Sequence, residues 1–77
     1  MKLLMVEDNL KLAGVMGRLL RDNGLAVDEV GTVEEARAAL ALGGYDAILL
    51  DLSLPDGDGG TLLRDLRRSG DATPILV

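Results

Sequence analysis

Glu7 and Asp8 stand where one short apolar run ends, and Asp51 stands where another ends. A carboxylate at the carboxyl end of a buried parallel strand lies on the edge where α/β sheets collect their ligands. If the two strands are neighbours, three acids converge there and repel one another unless a cation sits between them. Oxygen-only ligands that leave room for water suit Mg2+, which demands octahedral geometry. Such a site draws a phosphoryl group toward one carboxylate, because the metal neutralises phosphate oxygens while the carboxylate attacks in line. The product would be an aspartyl phosphate. Taken singly, each acid has a plainer reading. Asp51 could cap a turn or face solvent. Glu7 and Asp8 could be the acidic first turn of a helix, favoured by ~0.3–1 kcal/mol. A cap explanation does not require a second acid-ended run, so the joint pattern favours the metal site.

The elements that must position these acids follow from the apolar pattern. Lys2 to Val6 (KLLMV) and Ala47 to Leu50 (AILL, bracketed by Asp46 and Asp51) read as strands, the second buried on both faces. Pro55, Gly57, Gly59 and Gly60 then require a shaped turn. Asn9 is a good N-cap for a helix carrying Leu12, Val15, Met16, Leu19 and Leu20 and stopping at Asn23 and Gly24. Gly14 and Gly17 weaken that helix by up to ~1 kcal/mol each unless they allow close packing. Leu25 to Val30 suits an edge strand carrying acids. Thr32 and Glu35 form a capping box for a helix with Ala36, Ala39 and Leu40, ending at Gly43 and Gly44. Leu62, Leu63 and Leu66 mark a third helix with Arg64, Arg67 and Arg68 outside or near its C-terminus. Thr73 to Val77 (TPILV) begins a fourth strand, with Pro74 where a missing donor is tolerated. The alternation predicts one α/β domain with parallel strands, right-handed crossovers and helices on both faces.

Composition narrows the chemistry. The 77 residues contain no Cys and no His, which removes disulfides, thiolate nucleophiles and ordinary zinc sites. The only aromatic residue is Tyr45, so the core is aliphatic. Thirteen acids against eight bases give a formal charge of -5, which argues against this segment gripping nucleic acid itself. The N-terminal run is too short for a signal peptide or a membrane span, and a cytoplasmic setting is expected. Asp56 to Gly59 has a calcium-loop flavour, but Arg67 stands where the closing glutamate belongs. There is no P-loop and no G-x-G-x-x-G after the first strand, so a nucleotide cofactor has no support.

Met5 to Asn9 (MVEDN), Tyr45 to Pro55 (YDAILLDLSLP) and Asp58-Gly59 together resemble the receiver domain of two-component response regulators. The resemblance covers the whole chain and implies a flavodoxin-like (CheY-like) doubly wound parallel sheet, strand order 2-1-3-4-5. It implies that Asp51 is the phospho-acceptor and Asp8 a direct Mg2+ ligand. Glu7 would be the second acid, acting directly or through water, and Ser53 would add its backbone carbonyl. Pro55 and Gly59 would shape the loop. The implied phosphoryl donor is a phosphohistidine on a sensor histidine kinase or a small acyl phosphate, with the first helix facing the kinase. The wording is most like the class whose receivers precede a winged-helix DNA-binding domain, which would carry any DNA contact.

The family's Ser or Thr after the fourth strand, its Lys after the fifth, and the surface of its fourth helix, fifth strand and fifth helix fall beyond Val77. Residues 1–77 are therefore expected to be an incomplete receiver domain. Thr73 precedes its strand, and Lys2 and Lys11 match no motif position. The fourth strand would then present an unpaired edge, and the first helix would lack a packing partner, which predicts self-association or strand exchange. The leading expectation is a phospho-accepting signalling module and not an enzyme. The alternatives are a fragment that only assembles and, last, a Mg2+-dependent hydrolase of small phosphate esters, for which no general acid is found.

Overall fold

The structure is a computed structural model that describes residues 1–51, 53–54 and 57–77, with 53, 57 and 58 described as backbone only. Four parallel strands form one sheet: β1 (Lys2–Val6), β2 (Ala26–Val30), β3 (Ala47–Leu50) and, last in the chain, β6 (Ile75–Leu76). Their order is β2-β1-β3-β6, so β1 and β3 are central and adjacent. The predicted doubly wound order is observed. The helices are α1 (Leu10–Asp22), α2 (Val33–Leu42) and α3 (Gly59–Arg68). No helix among the described residues is long and apolar enough to cross a membrane.

Alternation along the strands divides the core between two faces. Leu4, Val6, Ile48 and Leu50 point to one side and pack with Val33 and Ala36 of α2 and Leu62 of α3. Leu3, Met5 and Val27 point to the other and meet Ala13, with Met16 and Leu20 partly buried beside them. Among the described residues, one face thus has two helices and the other has α1 alone. This is why β3 is buried on one side only: Ile48 and Leu50 are buried, whereas Ala47 and Leu49 are half-covered. The expectation of burial on both faces, made for Ala47 to Leu50, is therefore not met there; β1 is the strand buried on both faces, with Leu3 to Val6 all buried.

The predicted caps are in place. Asn9 Oδ1 accepts from the Leu12 amide at 3.0 Å. Thr32 Oγ1 accepts from the Glu35 amide at 3.0 Å, while Glu35 Oε1 reaches back to the Gly31 amide at 3.3 Å. Three details differ from the sequence reading. The stretch after β3 contains a short antiparallel ladder, β4 (Ser53–Leu54) against β5 (Gly57–Asp58). Gly59 and Gly60 open α3, where they were expected to serve the loop. The fourth strand of the main sheet is limited to Ile75–Leu76, because Thr73 is turned into the preceding loop by bonds to Asp71 and Arg67.

The two glycines of α1 have different surroundings. A Cβ on Gly14 would meet nothing within 4 Å, whereas one on Gly17 would lie 2.5 Å from Glu29 Oε2. That oxygen is paired with Arg21 NH2 at 2.8 Å, and the same guanidinium nitrogen donates to the Val27 carbonyl at 2.7 Å, so Gly17 admits the clasp joining α1 to β2. Gly14→Ala should raise stability by up to ~1 kcal/mol. In Gly17→Ala the displaced ion pair, worth roughly 0.2–1 kcal/mol, should cancel most of that gain. Urea denaturation of both variants checks the difference.

At the amino end of the sheet, Tyr45 donates its hydroxyl to Asp28 Oδ2 at 2.6 Å, and Lys2 Nζ lies 3.7 Å from the same oxygen and 4.9 Å from the ring centroid. The Asp28 bond, helped by burial, pushes the Tyr45 pKa up to about 12 and holds the Asp28 carboxyl below its usual value. A phenol in an unfolded chain ionises near ~10. The bond therefore contributes fully below that pH and is lost as pH rises through about 12. The Asp28 contribution is present above 3.8 and is lost as pH falls through its lower folded value. Tyrosinate absorbance should show a midpoint close to about 12 in this chain. In Asp28→Asn it should fall toward ~10. A wild-type midpoint at the lower value would mean that the bond does not form in solution.

Candidate metal and phosphoryl site

The acids meet because of register. Val6 and Leu50 are partners across β1 and β3, so the residues following each strand emerge side by side. Backbone bonds continue the ladder one step further. The Asp51 amide donates to the Val6 carbonyl at 2.9 Å, and the Glu7 amide donates to the Val30 carbonyl at 2.9 Å. Glu7 and Asp51 are thus each tied at the backbone to the neighbouring strand, just past the end of β1 and β3.

One carboxylate oxygen from each of Glu7, Asp8 and Asp51 lies within 4.8 Å of the others. Glu7 and Asp51 are half-buried and Asp8 is exposed. Three like charges at this spacing favour a bound cation, and an all-carboxylate set fits a hard divalent ion that keeps some of its water. The donor chemistry thus fits a divalent-metal site. The expectation that the chain is not an enzyme is corrected here. A metal-binding triad of acids at the end of a parallel sheet is a catalytic arrangement, able to promote phosphoryl transfer onto the domain itself.

The structure brings all three predicted acids together. Ser53 lies two residues past Asp51 in β4, described as backbone only. Pro55 and Asp56, to which the turn and calcium-loop readings also attached, lie outside the described residues. Gly59 is buried at the start of α3. Two neighbours of the site had no functional signal in the sequence reading. The Asn9 amide donates to Glu7 Oε1 at 3.1 Å, in addition to the capping role of its side chain. Gly31 lies beside the acidic pair, with a Cβ position 3.8 Å from the Glu7 carbonyl oxygen and 3.9 Å from Asp8 Cα. An acid two residues before a helix cap is the one sequence signal for the Asn9 contact. A groove of about 540 Å³ runs from the site along the α1 side of the sheet, lined by Met5, Leu12, Met16, Leu49 and Leu76, with Glu7 and Asp51 also on its wall.

A four-stranded parallel sheet with an acidic triad at its carboxyl edge fits a phospho-accepting α/β signalling domain. The family model described as the response regulator receiver domain matches residues 3–77. The chain is 43% identical over 79 residues to the probable transcriptional regulatory protein y4xI of Sinorhizobium fredii, covering 100% of this chain and 33% of that protein. It is 40% identical over 77 residues to the swarming motility regulation protein RssB of Serratia marcescens, covering 100% of this chain and 35% of that protein. Among solved structures, the receiver domain of the Francisella response regulator 1452 superposes with a TM-score of 0.92 at 30% identity, covering 96% of this chain and 61% of that one. The chain belongs to the response regulator receiver domain family. It spans about a third of the length of these curated relatives.

Proposed function

We propose that Asp51 is the phospho-acceptor and that Asp8, Glu7, Asp51 and the backbone carbonyl of Ser53 would hold Mg2+. The observation that carries this reading is the meeting of the three acids at the end of paired strands. An Asp51 carboxylate oxygen attacks phosphorus as the bond to the donor breaks; the leaving group, a histidine nitrogen of a sensor kinase or the carboxylate of an acyl phosphate, keeps the electron pair. Bound Mg2+ would neutralise the phosphoryl oxygens and so lower the charge barrier to that attack. The buried floor of Val6 and Leu50 and the backbone bonds of Glu7 and Asp51 keep the acids from turning apart. In the cell this domain would sit in the cytoplasm, take its phosphoryl group from a sensor histidine kinase through the α1 side, and regulate transcription through a winged-helix output domain. The relatives named as transcriptional regulators support that output.

Intact-mass spectrometry after incubation with Mg2+ and acetyl phosphate tests the assignment. One phosphoryl adduct is expected on the chain and none on Asp51→Asn. An equal adduct on both would place the acceptor elsewhere.

A second reading concerns assembly. β6 is the last strand of the sheet order, and Leu76 and Val77 are 68% and 70% exposed beside the groove, with Leu12, Val15 and Leu19 exposed on α1. An apolar edge continuous with an apolar face invites pairing with a second copy. The 77-residue chain should self-associate through β6 as its concentration rises. Leu76→Lys should shift it to monomer in light scattering, and a wild-type monomer at all concentrations would sink this reading.

A further inference from the structure

We propose that Arg21 of α1 closes the outer edge of β2 to a second copy of the chain, so that self-association stops at a pair joined through β6; the size limit rests on the assembly reading above. β2 ends the sheet order on one side, as β6 does on the other. Its backbone bonds to β1 run through alternate residues: the Ala26 amide donates to the Met1 carbonyl at 3.1 Å, and the Val30 carbonyl accepts the Glu7 amide at 2.9 Å. By that alternation Asp28 also faces β1, and the amides and carbonyls of Val27 and Glu29 face away from the sheet. Such an outward row is a template for an added strand. One member of the row is taken. Arg21 Nη2 donates to the Val27 carbonyl at 2.7 Å and pairs with Glu29 Oε2 at 2.8 Å.

Two glycines seat the guanidinium there. Gly24, at φ +86°, turns the chain between α1 and β2 and brings the last helical turn, with Arg21, back beside the strand. Gly17 lacks the Cβ that would stand 2.5 Å from Glu29 Oε2 and 3.0 Å from Arg21 Nη1. A strand adding to β2 must displace Arg21 from the Val27 carbonyl and leave Glu29 without its partner at the new interface. The opposite edge carries no such guard: Ile75 and Leu76 of β6 are apolar, and Leu76 is 68% exposed. A sheet with one open edge pairs with a copy of itself and stops, whereas a sheet with two open edges adds copies head to tail without closing.

The test compares Arg21→Met combined with Glu29→Gln against Glu29→Gln alone, so that the acid is neutralised in both and only the guanidinium differs. Light scattering and amide hydrogen exchange are recorded on each from dilute to concentrated solution. In the double variant, exchange at positions 27 and 29 should slow about tenfold as concentration rises, because an added strand bonds the outward amides. Its particles should also grow past the pair. Glu29→Gln alone should show neither change. Amides at 27 and 29 that ignore concentration in the double variant would overturn the proposal, as would faster exchange along β2 at every concentration, the mark of a clasp that is structural only. Growth past the pair needs both edges, so a wild type that stays monomeric sinks the β6 reading and the size limit with it; the guard at β2 is then decided by the amides at 27 and 29. Should the double variant fail to fold, guanidinium exchange in the wild type decides. The Arg21 protons should exchange more slowly than those of the exposed Arg18, and equal rates would overturn the guard.

Discussion

The in-register pairing of β1 with β3 is the constraint on which the rest depends. It matches Val6 to Leu50 and so delivers Glu7, Asp8 and Asp51 to one place. Side chains alternate along a strand, so a slip of one residue would turn Ile48 and Leu50 away from α2 and α3 and would also move Asp51 out of step with the acidic pair. The core and the site therefore select the same register. Leu4, Met5, Val6 and Ile48 are essentially inaccessible to solvent, and this apolar platform offsets the repulsion of three carboxylates held within 4.8 Å. A domain of this size has little stability to spare, which makes the agreement between the two requirements important.

The two faces of the sheet are not equivalent. On one, α2 and α3 close over Leu4, Val6, Ile48 and Leu50, with Arg37 and Asp65 paired across the two helices at 2.8 Å. On the other, α1 covers β1 and β2 but leaves Leu49 half-covered and Leu76 exposed, and the groove beside it reaches the acids. The site thus sits at the end of a well-packed face and at the mouth of an open one. Whatever occupies the open face touches residues next to Glu7 and Asp51, so packing there and the charge at the site are physically adjacent.

Much of this was legible in the sequence because the signals were local. The caps at Asn9 and Thr32, the glycine stops and the short apolar runs each report a backbone preference that tertiary packing did not override. The acidic triad was legible only in combination, as two runs each ending in acid. What was not legible depended on neighbours. The half-coverage of β3 follows from having a single helix on that face, which no property of AILL encodes. The shortening of the last strand follows from Arg67, which donates to the carbonyls of Asp71 and Thr73 at 2.7 and 2.9 Å and holds the loop before β6. The placement of Gly59 and Gly60 in α3 ran against their low helix propensity; Gly59 is buried there, so packing outweighed propensity. The phosphoryl chemistry of the triad was legible, but the chain was classed as a signalling module and not an enzyme, a class that the close approach of the three acids corrects.

The two ends of the sheet use carboxylates in opposite ways. At the amino end, Asp28 accepts the Tyr45 hydroxyl and is paired with the Lys2 ammonium, and Asp46 accepts the Lys2 amide at 2.7 Å. These bonds join β2, β1 and the approach to β3 and are structural in effect. Elsewhere Arg21 is committed to Glu29 and Arg37 to Asp65, so several of the chain's eight bases serve to fasten helices and strands. At the carboxyl end, the acids are gathered by backbone bonds, and the Glu7 carboxylate is engaged by a neutral amide from Asn9. A neutral donor orients a carboxylate without cancelling its charge. That distinction allows one small sheet to be fastened at one end and to attract a cation at the other.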